Sequence, residues 1–148
     1  MTTKNHTPSG ELSYYGLSLL SYLRDNFPDR TGDTEFISER ADSAAEVYSR
    51  AVKDGHSQVE AEELASDELY RGLHFSPFNT LKNILWREFS EEIPEEEAHV
   101  IALQALPECA EVVANYTLSD DFEGTPEYDQ FYTELVGTIQ ILLENGKL

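Results

Sequence analysis

Apolar residues recur along this chain close to the 3.6-residue helical period from end to end. No run alternates polar and apolar positions as a half-buried strand would. The pattern predicts a first helix from near Ser9 to Phe27, stopped by Pro28, with Leu12, Tyr15, Leu19, Tyr22 and Leu23 on one side and Gly16 allowing close approach of a neighbour. After the turn PDRTGD, Asp33 is placed to cap a long second helix that ends at Gly55. Its apolar side is Ile37, Ala41, Ala44, Tyr48, Ala51 and Val52, and the alanines predict tight helix packing.

Ser57 and Glu60 have the spacing of a capping box, which opens a third helix with Val59, Leu64, Ala65 and Leu69 as its apolar positions and Gly72 beyond its end. Ser76 followed by Pro77 starts the fourth, because proline in the first helical position gives up no needed hydrogen bond. Phe78, Leu81, Leu85 and Phe89 fall on its core face. Pro94 begins a fifth helix, and Pro107 breaks it before a short sixth with Cys109, Val112, Val113 and Tyr116 on one face. The loop SDDFEG follows. Thr125-Pro126-Glu127 then opens the last helix, striped by Tyr128, Phe131, Leu135, Ile139 and Leu142. The expectation is an all-α array of about seven helices with short connections, a flexible tail over residues 1–8 and a single helical domain over 9–148.

Composition changes this picture little, and charge changes it more. Hydrophobic residues make up 40% of the 148 and aromatics 11%, enough apolar surface for a folded domain. The N-terminus has no apolar leader and no apolar run is long enough to cross a bilayer, so a cytoplasmic protein off the membrane is expected. One cysteine, Cys109, cannot form an internal disulfide, which agrees with a reducing compartment. With 29 Asp+Glu against 10 Lys+Arg the formal net charge is −19. That field repels phosphate backbones, and direct nucleic-acid binding is not expected.

Residues 69–87, LYRGLHFSPFNTLKNILWR, stand apart because they contain no acid. Burial of the Phe78 stripe accounts for most of this. Beside that stripe, Asn79, Lys82, Asn83 and Trp86 share a second face at i, i+3, i+4 and i+7. A tryptophan among amides and a lysine has the composition of an interface anchor for a protein partner. The competing reading has a neighbouring helix covering Trp86 while Lys82 reaches to solvent.

The segments ELSYYGLSLLSYLR, FISERADSAAEVYSRAVKDG, EAEELASDELYRGLHFS, TLKNILWREFS and YTELVGTIQILLENG occur in this order over nearly the whole chain. Together they resemble a small bacterial family classed as a domain of unknown function. The resemblance implies an all-helical fold and a setting on conjugative mobile elements, and carries with it no activity or catalytic residue.

The motifs of common chemistries are missing. There is no HExxH, nucleophile elbow, phosphate-binding loop or dinucleotide fingerprint. Glu96 and His99 form one Glu-x-x-His pair, where a di-iron bundle needs two such pairs and two more glutamates. Aligning SDDFEGTPEYDQ to a calcium loop puts Ser119 first and Gln130 twelfth, where Asp and Glu are required. Cys109 lies on an apolar stripe, as an inert buried thiol does. Neither a cofactor nor a metal is expected, and an enzyme is unsupported unless distant helices assemble its site.

Two acidic features read differently. Glu35, Glu39, Asp42 and Glu46 make a stripe on the second helix that continues into Arg50 and Lys53, and acids early with bases late are what the helix dipole favours. The run EEIPEEE, with Glu91, Glu92, Glu95, Glu96 and Glu97, exceeds what a helix start needs. Carboxylates one helical turn apart stand roughly 5–6 Å from one another, loosely like phosphates. The alternative to a protein-interaction or accessory role is therefore an acidic mimic of DNA that occupies a DNA-binding or restriction protein.

Overall fold

In a computed structural model of the chain the described residues are 13–148. The expected tail, the helix start near Ser9 and the stripe residue Leu12 lie outside them. The described residues form seven α-helices and four short 3-10 turns, and no strand occurs among them. They group into two compact units that meet in sequence at Arg71–Gly72.

The first unit holds α1 (Tyr14–Asn26), α2 (Thr34–Lys53) and α3 (Gln58–Leu69). Ser13 caps α1, its hydroxyl accepting from the Gly16 N–H at 3.1 Å, so this helix opens at Tyr14. Asp33 caps α2 as its sequence predicts, accepting from Phe36 N–H. At the other end Gly55 takes φ +95°, a conformation that side-chain-bearing residues rarely adopt. Ser57 and Glu60 complete the capping box of α3. α2 packs against α3, and their buried residues are mostly small: Ile37, Ala41, Ala44 and Ala51 on α2, and Ala61, Ala65 and Leu69 on α3.

The apolar side of α3 differs from the sequence expectation. Val59 is 69% exposed and Leu64 40%, while Ala61 takes the buried place. Ala61, Ala65 and Leu69 are spaced i, i+4, i+8, the spacing of one face. The interface selects side chains small enough for close approach rather than the most hydrophobic ones. Val52, expected on the apolar side of α2, is also exposed. The last carbonyls of α3 are satisfied from a distance. The Arg40 guanidinium donates to the carbonyls of Glu68, Leu69 and Arg71, and it lies over the Phe36 ring.

The second unit holds α4 (Pro77–Glu88), α5 (Ala98–Ala105), α6 (Ala110–Ala114) and α7 (Glu127–Glu144). Its core joins Phe78, Leu81, Ile84 and Leu85 of α4, and Phe89 at its C-cap, to Phe131, Leu135 and Ile139 of α7, together with Ala102 and Cys109. Phe75, Phe122 and Phe131 meet edge to face at 5.1–5.9 Å between centroids, an arrangement that the ring quadrupoles favour. Phe122 belongs to the SDDFEG segment. That loop therefore supplies a buried ring to the core.

Candidate functional site

The α4 face is set by how the helix begins. The Ser76 hydroxyl accepts from Asn79 N–H at 3.0 Å and Pro77 fixes the first turn, so the helical register of everything after it is determined. With Phe78, Leu81, Ile84, Leu85 and Phe89 turned inward, Asn79, Lys82, Asn83 and Trp86 fall on the neighbouring face. Asn79 and Lys82 are half-buried, and Asn83 and Trp86 are exposed. Trp86 leaves 45% of its surface to solvent. The covered-tryptophan reading is not what this surface presents.

Lys82 does not simply reach outward. Its ammonium sits 4.9 Å from the centroid of Phe78, whose edge-to-face partner is the His99 imidazole at 5.3 Å. A cation over an aromatic face is held by the ring quadrupole. Lys82 is thereby tethered beside the exposed face, one turn from Trp86. His99 has a structural role in this contact, which the Glu96–His99 spacing gave no sign of. Among the described residues, no group of three or more His, Cys, Asp and Glu side chains could hold a metal ion.

The turn before α4 contains a contact the sequence did not expose. Asp120, from the SDDFEG loop, accepts from the backbone N–H groups of Gly72 at 2.9 Å and His74 at 3.0 Å, and lies 3.7 Å from the His74 imidazole. The carboxylate partner of His74 is thus 46 residues away in sequence. Gly72 takes φ +80° here, which leaves its N–H aimed at Asp120. This clasp is an anchoring contact for the turn.

Glu91, Glu92, Glu95, Glu96 and Glu97 are all exposed, and Ile93 anchors the run in the core. Glu95–Glu97 form a 3-10 turn leading into α5, where acids suit the positive end of the helix dipole. Glu91 and Glu92 instead follow the C-terminal end of α4, where the same dipole disfavours them. Cys109 is fully buried, and burial pushes its thiol up to about 11, so the thiolate needed for reactivity is scarce at neutral pH. No helix among the described residues is long and apolar enough to cross a membrane.

A family model described as a domain of unknown function, DUF1896, matches residues 7–148. The chain is also similar to the crystal structure of protein PG0816 from Porphyromonas gingivalis. The two are 46% identical, with a TM-score of 0.85, over 93% of this chain and 94% of that one. No curated protein matches the sequence.

Proposed function

We propose, on the premise that the chain belongs to the DUF1896 family, that it acts without catalysis, by binding a protein partner through the α4 face. Trp86 carries the reading: it is a large aromatic, 45% exposed, on a helix whose inward face is otherwise fully packed. Tryptophan supplies contact area and one N–H donor at low conformational cost, and such residues dominate binding energy when a partner desolvates them. Asn83 beside it can donate and accept, and tethered Lys82 adds a fixed positive charge in an otherwise acidic protein. The mobile-element setting implied by the sequence resemblance would make the protein an accessory factor, and the reducing cytoplasm is where its single buried thiol fits.

A second reading rests on the five exposed carboxylates of Glu91–Glu97, which would let the protein occupy a DNA-binding enzyme. The two readings differ in salt response, because exposed charges are screened and a desolvated anchor is not. The test is capture from host lysate by tagged protein over a salt series, with Trp86→Ala in parallel. A partner that resists salt and is lost with Trp86→Ala, while circular dichroism stays native, supports the first reading. A partner indifferent to Trp86→Ala and released at moderate salt refutes it in favour of the second.

A further inference from the structure

A groove of about 480 Å³ lies in the second unit where α4 ends against the last turns of α7, and none of Asn79, Lys82, Asn83 or Trp86 lines it. Its apolar lining is Phe89, Val136 and Leu143, and Glu88, Glu92 and Glu144 supply carboxylates around them. On α7, Val136, Leu143 and Glu144 stand at i, i+7 and i+8, so they share one helix face.

The carboxylates stand where helix electrostatics disfavours them. Glu88 is the last residue of α4 and Glu144 the last of α7, and α7 has no basic residue in its last turn. Each helix C-terminus carries the negative end of its macrodipole, roughly half a charge. Two such ends and three carboxylates therefore border one groove of mixed lining, in which Gln140 joins the apolar residues. On α2 the order is the reverse, with Glu35 in the first turn and Arg50 and Lys53 in the last. α4 does carry a base, Arg87, in its last turn, but Arg87 does not line the groove. Lys147 is exposed beyond α7. Tyr132 donates its hydroxyl to Glu88 at 2.9 Å and so helps hold that carboxylate in place.

We infer that this groove docks a basic, amphipathic helical segment of a partner protein, aliphatic side chains lying on Phe89, Val136 and Leu143 and Lys or Arg side chains meeting Glu88, Glu92 and Glu144. Charge complementarity selects the occupant: a cationic rim on the partner relieves repulsion that the free protein retains at both helix ends. The carboxylates are spread along the trough instead of converging on a point, which suits several cationic side chains better than one ion. An open groove that sets apolar residues among carboxylates suits an amphipathic helix, read by anchors one turn apart. The inference does not depend on the Trp86 face.

The test uses full-length protein labelled with nitrogen-15 and titrated with a short synthetic helix of leucine and lysine that has every leucine on one side. Amide shifts should concentrate at 88–92 and 136–144. The triple variant Glu88→Gln, Glu92→Gln, Glu144→Gln should weaken binding by about tenfold or more. The charge-matched control Glu35→Gln, Glu39→Gln, Glu46→Gln should change it by less than about twofold. Glutamine keeps an acceptor for Tyr132, and circular dichroism confirms folding of both triples. Equal weakening by the two triples overturns the inference, since attraction would then be diffuse. So does equal binding of a scrambled peptide of the same composition, or spermine reproducing the same shifts at the same affinity.

Discussion

Replacing Phe122 with alanine tests whether the SDDFEG segment is a core element of the second unit. The ring is 3% exposed and meets Phe75 at 5.1 Å, Phe131 at 5.4 Å, Tyr116 at 5.9 Å and Tyr128 at 6.2 Å between centroids. A buried aromatic removes about 150–250 Å² from water, and at about 25 cal/mol per Å² the ring is worth roughly 4–6 kcal/mol before the alanine's own share is subtracted. Phe→Ala in packed cores accordingly costs about 3–5 kcal/mol, and the edge-to-face contacts place Phe122 toward the upper end. Phe122→Leu keeps most of the volume and should cost about 1–2 kcal/mol. Urea unfolding followed by Trp86, the single tryptophan and a reporter within the same unit, reads the difference. With an m-value of about 1–2 kcal/mol/M the alanine variant should unfold about 2 M or more earlier, or fail to fold in buffer. A loss below about 1 kcal/mol for Phe122→Ala would refute the claim that this ring organises the core.

Three further outcomes follow from the same structure. Ser57→Ala removes one half of the α3 capping box and should lower stability by about 1 kcal/mol in denaturant unfolding. Arg40→Ala leaves the carbonyls of Glu68, Leu69 and Arg71 without their guanidinium donor, and should cost about 1.5–3 kcal/mol by the same assay. Cys109 should resist a thiol reagent at pH 8 in the native state and react at once in urea. Because the folded protein holds the thiol proton more tightly than the unfolded chain does, stability should fall as pH rises from about 9 to about 11, a slope that Cys109→Ala should reduce.

The helix starts were legible because caps are local. Asp33, the Ser57–Glu60 pair and Ser76-Pro77 each act within four residues, and each caps the helix its position predicts. The core stripes of α4 and α7 were legible for a similar reason, since large apolar residues at helical spacing have nowhere else to go. The face of α3 was not, because its packing rewards small side chains and hydrophobicity ranks Val59 and Leu64 above Ala61. The Asp120 clasp and the core place of Phe122 were hidden by distance along the chain. SDDFEG reads as an acidic loop until the turn at Gly72–His74 and the ring of Phe75 are brought beside it. The geometry of the proposed contact face was partly legible. Spacing identified the Asn79–Trp86 face, but only the packed unit could show Trp86 exposed and Lys82 folded onto Phe78. The groove was not legible at all, because it needs two helix ends to meet.

The measurement closest to the central claim is the affinity of the recovered partner for three forms of the protein, by calorimetry at low and at high salt. The forms are wild type, Trp86→Ala, and a variant with Glu91, Glu92, Glu95, Glu96 and Glu97 all changed to Gln. The account predicts that Trp86→Ala loses about 2 kcal/mol or more, roughly thirtyfold, at both salt concentrations, while the glutamine variant stays within a few fold of wild type. Loss of binding in the glutamine variant and in salt, with Trp86→Ala unchanged, would contradict it.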